Sequence, residues 1–118
     1  MERIATFTVP GRPRGKERPR VGRNGKFYTP RTTREYEESV AWFAKAAYKG
    51  EPTKDPVRLD MTIRSSKSKA DTSNILKSIE DGMNGIVYVD DNQIKEIHII
   101  RTEANGEGVD VTVYLLEE

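Results

Sequence analysis

The sequence predicts an α+β fold in which a small mixed β-sheet carries two main helices packed on one face, in the order β-α-β-α-β-β-β. Three observations favour this class. Alternating apolar residues mark strands near both ends of the chain and in its middle. Two other segments repeat their apolar residues with a helical period. The 118 residues suffice for one core, so we expect 1–118 to form a single domain.

The first third of the chain predicts a strand, a basic arm and a helix. Residues 4–9, IATFTV, are largely apolar or β-branched and alternate, which is typical of a strand. Residues 10–31 are rich in Gly, Pro and Arg, and they predict a long arm with a turn at Asn24-Gly25. Thr32-x-x-Glu35 has the form of a capping box and predicts a helix from there to about Lys49.

The middle of the chain predicts a strand and a second helix. Residues 57–65, VRLDMTIRS, alternate between apolar and polar, as expected for a strand with one solvated face. Residues 66–70 form a short basic link. The second helix covers about 72–84, and its apolar stripe consists of Ile75, Leu76, Ile79 and Met83.

The last third of the chain predicts three strands. Residues 86–89, IVYV, indicate a short strand, and a turn follows at 90–92. Residues 94–101 and 109–116 indicate two further strands. Because Asn105-Gly106 lies between them, we expect these two strands to pair as a hairpin.

Charge is distributed unevenly along the chain. Residues 1–34 hold ten basic and two acidic residues, a net charge of +8. Since the whole chain carries only +1, the remaining residues carry −7. A basic arm of this kind suits phosphate groups, and an acidic body suits a divalent cation.

Several function classes are excluded or disfavoured by composition and motifs. The chain has no cysteine, which excludes disulfides and cysteine-based zinc sites and fits a reducing cytoplasm. No signal peptide and no membrane-spanning run is expected from its apolar pattern. It contains neither a Walker loop nor a G-x-G-x-x-G motif. The single histidine, His98, is predicted to be structural or to lie at the surface.

Asp71 and the pair Asp90-Asp91 are candidate metal ligands. Asp71 precedes the second helix, and the pair follows a strand that returns from it, so these ends can lie close together. Considered alone, Asp71 is an ordinary helix N-cap and Asp90-Asp91 an ordinary turn. Together their carboxylates match the hard oxygen ligands that Mg²⁺ prefers. Lys77 either forms a solvated pair with Asp81 or stabilises charge on a phosphate.

The basic arm is the stronger indicator of function. Its eight basic residues between 12 and 31, with the aromatic residues Phe27 and Tyr28, are typical of nucleic-acid contact, although a solvated tail has a similar composition. Metal-binding carboxylates beside phosphate-binding lysines indicate phosphodiester hydrolysis. The predicted DNA-binding residues are Arg12, Arg14, Lys16, Arg18, Arg20, Arg23, Lys26, Lys67 and Lys69.

Two segments together resemble the RusA family of Holliday-junction resolvases. The first is FTVPGRPRGKERPR, which is similar to the family's early strand and its Pro-, Lys- and Arg-rich segment. The second is KADTSNILKSIEDGMNGIVYVDDNQI, which resembles the ordered family motifs D-x-D-N, L-x-K, D-x-L-N-G and D-D-x-Q. The resemblance covers nearly the whole chain, and the ordered set is more specific than any one motif.

The resemblance implies a homodimer that binds four-way junction DNA and nicks it symmetrically, in the cytoplasm of a bacterial, phage-infected or prophage-bearing cell. The implied cofactor is Mg²⁺, with Mn²⁺ as a substitute, and neither a membrane nor an organic cofactor is implied. Asp71, Lys77 and Asp91 match catalytic positions, and Asp71, Asp90 and Asp91 match metal positions, with Asp91 as the main ligand. Matches at Asn74, Asp81, Asn84 and Gly85 complete the motifs.

One position departs from the family pattern, because Ser73 stands where the second motif acid is expected. A serine is a neutral and weaker ligand, so the site loses one charge. Ser73 holds the ion through water, or another acid compensates, or the protein binds junctions and cuts them poorly. Glu80 is the favoured compensating acid, because Ser73, Lys77 and Glu80 share one helix face.

Three functional hypotheses therefore follow from the sequence. The leading one is a magnesium-dependent endonuclease of branched DNA that acts in recombination and repair. The second is a non-catalytic junction-binding protein, which Ser73 favours. The third is an RNA-binding module that uses the basic arm, but this hypothesis gives the acidic residues no role.

Overall fold

The computed structural model describes residues 1–116 and contains a four-stranded mixed sheet with two helices on one face, so the predicted fold class is confirmed. The sheet strands are β1 (Glu2–Pro10), β4 (Val57–Arg64), β5 (Ile94–Thr102) and β6 (Gly108–Leu115). The helices are α1 (Arg31–Ala47) and α2 (Thr72–Met83). A separate ribbon within the basic arm pairs β2 (Arg20–Val21) with β3 (Phe27–Tyr28). Within the described part of the chain, no helix has the length and apolar character needed to cross a membrane.

The sheet has the strand order β1-β6-β4-β5. Strand β6 runs antiparallel to both β1 and β4, whereas β5 runs parallel to β4. Every second residue of β4 is buried under the helices, as its alternating sequence predicts. Strand β5 forms an edge and carries an exposed His98, in agreement with its predicted surface position.

The predicted hairpin between the last two strands is wrong, because β4 lies between β5 and β6. The connection from Thr102 to Gly108 passes the end of β4, where the Arg64 guanidinium donates a hydrogen bond of 2.6 Å to the Asn105 carbonyl. Asn105 and Gly106 do adopt the left-handed conformation expected of this dipeptide. Alternation specified which face of each strand is buried, but it did not specify which strands are neighbours.

The predicted strand at residues 86–89 is also absent and is replaced by a buried turn. Both Ile86 N–H and Val87 N–H donate to the Met83 carbonyl, so the chain curls at the end of α2. Val87 and Tyr88 are fully buried and add to the core. Thr53 forms an isolated parallel β-bridge with Tyr88. A bridge of one residue does not make a strand of the sheet.

The predicted capping box does not start helix α1. The N-cap residue is Pro30, which has no side-chain capping bond, and Thr32 and Glu35 lie inside the helix. The neighbouring hydroxyl of Thr33 is buried and accepts a hydrogen bond of 3.1 Å from the Glu17 N–H. At the start of α1, a threonine hydroxyl therefore binds the arm, and no threonine caps the helix.

Helices α1 and α2 cross closely at Gly82. A Cβ atom built on Gly82 would lie 2.5 Å from the Cβ and the Cγ1 of Val40, and 3.1 Å from the Glu37 carbonyl oxygen. Val40 is fully buried. This crossing therefore requires a glycine at position 82. The glycine costs α2 some intrinsic helix propensity.

We expect Gly82→Ala to destabilise the protein by about 1–2 kcal/mol, because overpacking outweighs the gain of about 1 kcal/mol in helix propensity. Urea unfolding followed by circular dichroism measures the effect. Ser39→Ala on the exposed face of α1 serves as the control and should change stability little. An unfolding midpoint for Gly82→Ala at or above that of the unmodified protein would contradict this packing.

Candidate nucleic-acid interface and cation site

Asp71 occupies the N-cap position of α2, as its simplest interpretation predicted, but its side chain makes no capping hydrogen bond. The first turn of the helix instead uses the Asp71 carbonyl, which accepts from the N–H groups of Asn74 and Ile75. The Asp71 residue is exposed. Its carboxylate therefore remains available for a cation or a ligand.

Arg101 fixes the turn that carries Asp71, and no sequence pattern indicated this role. From the edge strand β5, its guanidinium donates hydrogen bonds of 3.2 Å to the Ser68 carbonyl and 2.8 Å to the Ala70 carbonyl. It also bonds the Thr72 hydroxyl at 3.0 Å. One planar fork thus spans the last residues of the basic link and the first residue of α2.

Asp90 and Asp91 begin a short 3-10 turn and have different partners. The Asp90 carboxylate accepts from the Asn92 N–H at 3.1 Å and completes a capping box with Gln93. The Gln93 side chain also accepts from the Val89 N–H and donates to the Thr53 carbonyl. The turn interpretation therefore holds for Asp90, whose carboxylate caps the local backbone, and its role as a metal ligand stays a prediction.

Lys77 links the Asp91 turn to helix α2. Its ammonium group lies 3.2 Å from an Asp91 carboxylate oxygen and 3.3 Å from an Asp81 carboxylate oxygen. The hydrogen bond to Asp91 is the main cause that raises the pKa of Lys77 above its usual value. Half-exposed ion pairs of this kind contribute about 0.2–1 kcal/mol, so their main effect is to position Asp91.

The basic arm is attached to the same helix through Lys16. The Lys16 ammonium lies 2.5 Å from Asp81 and 3.1 Å from Glu37. The Lys16 backbone N–H donates to the Asn74 carbonyl at 2.9 Å. Gly15 makes this approach possible, since a Cβ there would lie 2.9 Å from the Asn74 Cβ. Lys16 was predicted to contact DNA, and this contact stays a prediction; in the structure its ammonium pairs with Asp81 and Glu37, and the residue lines the cleft.

Glu80 and Ser73 lie at different points along α2. Burial raises the pKa of Glu80 above its usual value, and the nearby Asp91 carboxylate raises it further. Ser73 lies exposed in the first turn. Glu80 thus supplies a carboxyl group close to Asp91 in a chain whose Ser73 offers only a hydroxyl.

The carboxylates form an open arrangement rather than a closed cage. Among residues 1–116, no three Asp, Glu, His or Cys side chains converge on one point as a complete metal site. Mg²⁺ usually takes one or two carboxylates, and it fills its remaining positions with water and substrate phosphate. The donor chemistry of Asp71, Asp91 and Glu80 therefore fits a magnesium ion that is completed by phosphate.

A wide cleft of about 1010 Å³ separates the arm from the start of α2. Asp71 and Asn74 form part of its wall. Seven of the predicted DNA-binding residues line it, namely Arg12, Arg14, Lys16, Arg18, Arg20, Lys67 and Lys69. The other two, Arg23 and Lys26, lie at the ribbon turn outside the cleft lining. The cleft brings an excess of positive charge to the edge of the acidic residues.

The comparison with known protein families gives one match. A family model described as Endodeoxyribonuclease RusA matches residues 10–114, which includes the arm, both helices and the Asp91 turn. No curated protein matches the chain. The matched region therefore contains every candidate residue of the cleft and of the acidic cluster.

We expect Arg101→Gln to loosen the turn that carries Asp71, because glutamine cannot replace the three hydrogen bonds of the guanidinium. A local loss of about 1 kcal/mol corresponds to about fivefold faster amide exchange. Hydrogen exchange of residues 68–74, read by mass spectrometry, measures the change. His98→Gln in the same strand is the control. Equal exchange of residues 68–74 in the two variants would show that the Arg101 hydrogen bonds do not stabilise this turn.

Proposed function

The chain belongs to the RusA endodeoxyribonuclease family, and we propose that it resolves four-way DNA junctions by magnesium-dependent, paired symmetric nicks. Membership in the family implies a nuclease that acts on Holliday junctions. The observation that carries the finer proposal is the basic cleft, whose wall includes Asp71. The Asp71 carboxylate makes no capping hydrogen bond and is therefore available to a ligand. Lys77 lies further along the same helix and contacts Asp91, which belongs to the 3-10 turn.

Phosphate binding is the first step of the proposed mechanism. The arginines and lysines of the cleft neutralise backbone phosphates, and the release of counterions favours association. Asn74 and Asp71 place the start of α2 at this surface. A DNA strand that follows the cleft therefore brings a phosphodiester beside the Asp71 carboxylate.

Asp71 and Asp91 are the residues that would hold magnesium, with Glu80 as the compensating carboxylate for Ser73. When bound, the ion supplies charge neutralisation and Lewis-acid activation for phosphodiester hydrolysis. Glu80 is preferred to a water-mediated Ser73 because it is a carboxylate on the helix face that also carries Lys77, which contacts Asp91. Asp90 contributes by holding the turn, since its carboxylate caps the local backbone.

Lys77 acts on the scissile phosphate in this proposal. Its ammonium group bridges Asp81 and Asp91 in the free protein and is half exposed. As negative charge develops on the phosphate oxygens, the same ammonium stabilises it. Asp91 and Asp81 keep Lys77 charged, because both carboxylates favour the protonated amine.

A homodimer follows from the symmetry of the proposed substrate. A four-way junction offers two equivalent strands, and resolution needs one nick in each. A two-fold symmetric dimer presents two identical sites to those strands. One subunit alone would release a nicked junction rather than two separated duplexes.

The alternative function is a junction-binding protein that does not cut. Two observations favour it, namely Ser73 in place of a motif acid and the absence of three converging ligands among residues 1–116. The basic cleft would serve either function equally well. Only the response to a divalent cation separates them.

We expect the protein to nick a labelled synthetic four-way junction only in the presence of Mg²⁺ or Mn²⁺, and to leave linear duplex intact. Asp91→Asn should reduce nicking by at least about 100-fold, because it removes a ligand and the partner of Lys77, while junction binding is retained. Asp60→Asn, on the open face of the sheet, is the matched control and should remain active.

Denaturing gels measure the nicks, and gel shift in the same buffer measures binding. Tight junction binding by the unmodified protein without nicking in either metal would contradict the nuclease proposal and support the binding alternative. Equal nicking by Asp91→Asn and Asp60→Asn would exclude Asp91 from the site.

A further inference from the structure

The ribbon formed by β2 and β3 is a feature that the proposed function does not yet use. Its two strands pair Arg20 with Tyr28 and Val21 with Phe27. The Gly22 N–H donates to the Lys26 carbonyl, and the Gly25 N–H donates to the Gly22 carbonyl, which closes the turn. Gly25 supplies the positive φ angle that this turn requires. The ribbon is therefore an ordered element with a defined register.

Apolar side chains on the ribbon are exposed to solvent. Phe27 is 75% exposed and Val21 is 60% exposed, and as a cross-strand pair they project from one face of the ribbon. Tyr28 lies on the opposite face and is 50% exposed. Neither aromatic side chain packs into the core of the domain.

The chemistry around these side chains selects the class of ligand. Arg18, Arg20, Arg23 and Lys26 lie near Val21 and Phe27 along the chain, and the salt bridge from Arg20 to Glu17 is long at 3.5 Å. A cationic surface that carries an exposed aromatic ring is complementary to a polyanion that presents flat apolar faces. Nucleic acid with an unstacked base has both properties.

The ribbon is also continuous with the cleft. Arg18, Pro19 and Arg20 line the cleft, and Arg20 is the first residue of β2. A strand bound along the cleft therefore reaches the ribbon without a gap. A second copy of the chain is a poorer occupant, because a symmetric contact would bring the same cations of both ribbons together.

We propose that Phe27 stacks against a base that is unpaired or unstacked at the branch point of a DNA junction. This inference rests on the proposed function and adds a determinant of selectivity, since intact duplex exposes no base face to a ring. Phe27 thereby favours branched over linear DNA, while the arginines of the ribbon contact phosphates of either form.

The test compares Phe27→Ala with Phe27→Trp and with Trp42→Ala, which removes an exposed aromatic ring from helix α1. The full-length protein is titrated with a four-way junction and with linear duplex, each carrying 2-aminopurine at the matching position. Fluorescence anisotropy gives the affinities, and 2-aminopurine emission reports unstacking of the base.

We expect Phe27→Ala to weaken junction binding by about 5- to 150-fold and to abolish the rise in 2-aminopurine emission, with duplex affinity unchanged. Phe27→Trp should retain junction affinity, and Trp42→Ala should behave as the unmodified protein. Circular dichroism should show equal folding, because Phe27 contributes nothing to the core.

Four results would overturn the inference and identify the reason. Unchanged junction affinity in Phe27→Ala would exclude stacking while leaving the proposed function intact. Equal loss on junction and duplex would make Phe27 a general DNA contact. A lower sedimentation coefficient of Phe27→Ala than of the unmodified protein, measured without DNA, would show that Phe27 contacts a second copy of the chain. If the unmodified protein does not bind junctions, the proposed function itself fails.

Discussion

The candidate site depends on the ion pairs of the Asp81 carboxylate, because two lysines from different segments share it. Lys16 reaches it from the basic arm, and Lys77 reaches it from one helical turn earlier. Lys16 continues to Glu37 on α1, and Lys77 continues to Asp91 on the 3-10 turn. These pairs are partly buried, and the chain of pairs fixes the arm and the Asp91 turn relative to α2.

The sequence predicted most of the helices and strands better than it predicted the contacts between them. Periodicity located both helices and four strands of the sheet, because a buried face imposes a repeat on nearby residues. The position of Asp71 before α2 and the pair between Lys77 and Asp81 were both predictable from local spacing, because an N-cap and an i,i+4 pair depend only on nearby residues. The Asn24-Gly25 turn was predictable because its backbone conformation restricts the residue type.

Long-range contacts set what the sequence could not predict. The insertion of β4 between β5 and β6 leaves the same alternating pattern that a hairpin would leave. Arg101 donates mostly to backbone carbonyls, which carry no sequence signal at the accepting positions. Lys16 belongs by composition to the DNA-binding set, and only the tertiary fold pairs it with Asp81. The role of Gln93 in fixing the Asp90 turn likewise depends on the Thr53 carbonyl, forty residues away.

We propose that Asp71, Asp91 and Glu80 are the carboxylates that bind the divalent cation, although they do not converge on one point among residues 1–116, and that Glu80 compensates for Ser73. Titration with Mn²⁺, followed by paramagnetic broadening of backbone amide signals, tests it without reference to cleavage. We predict that signals near these three carboxylates broaden together, that Glu80→Gln weakens Mn²⁺ binding, and that Ser73→Asp tightens it. Broadening confined to other acidic surfaces, or equal Mn²⁺ affinity in Glu80→Gln and the unmodified protein, would contradict the claim.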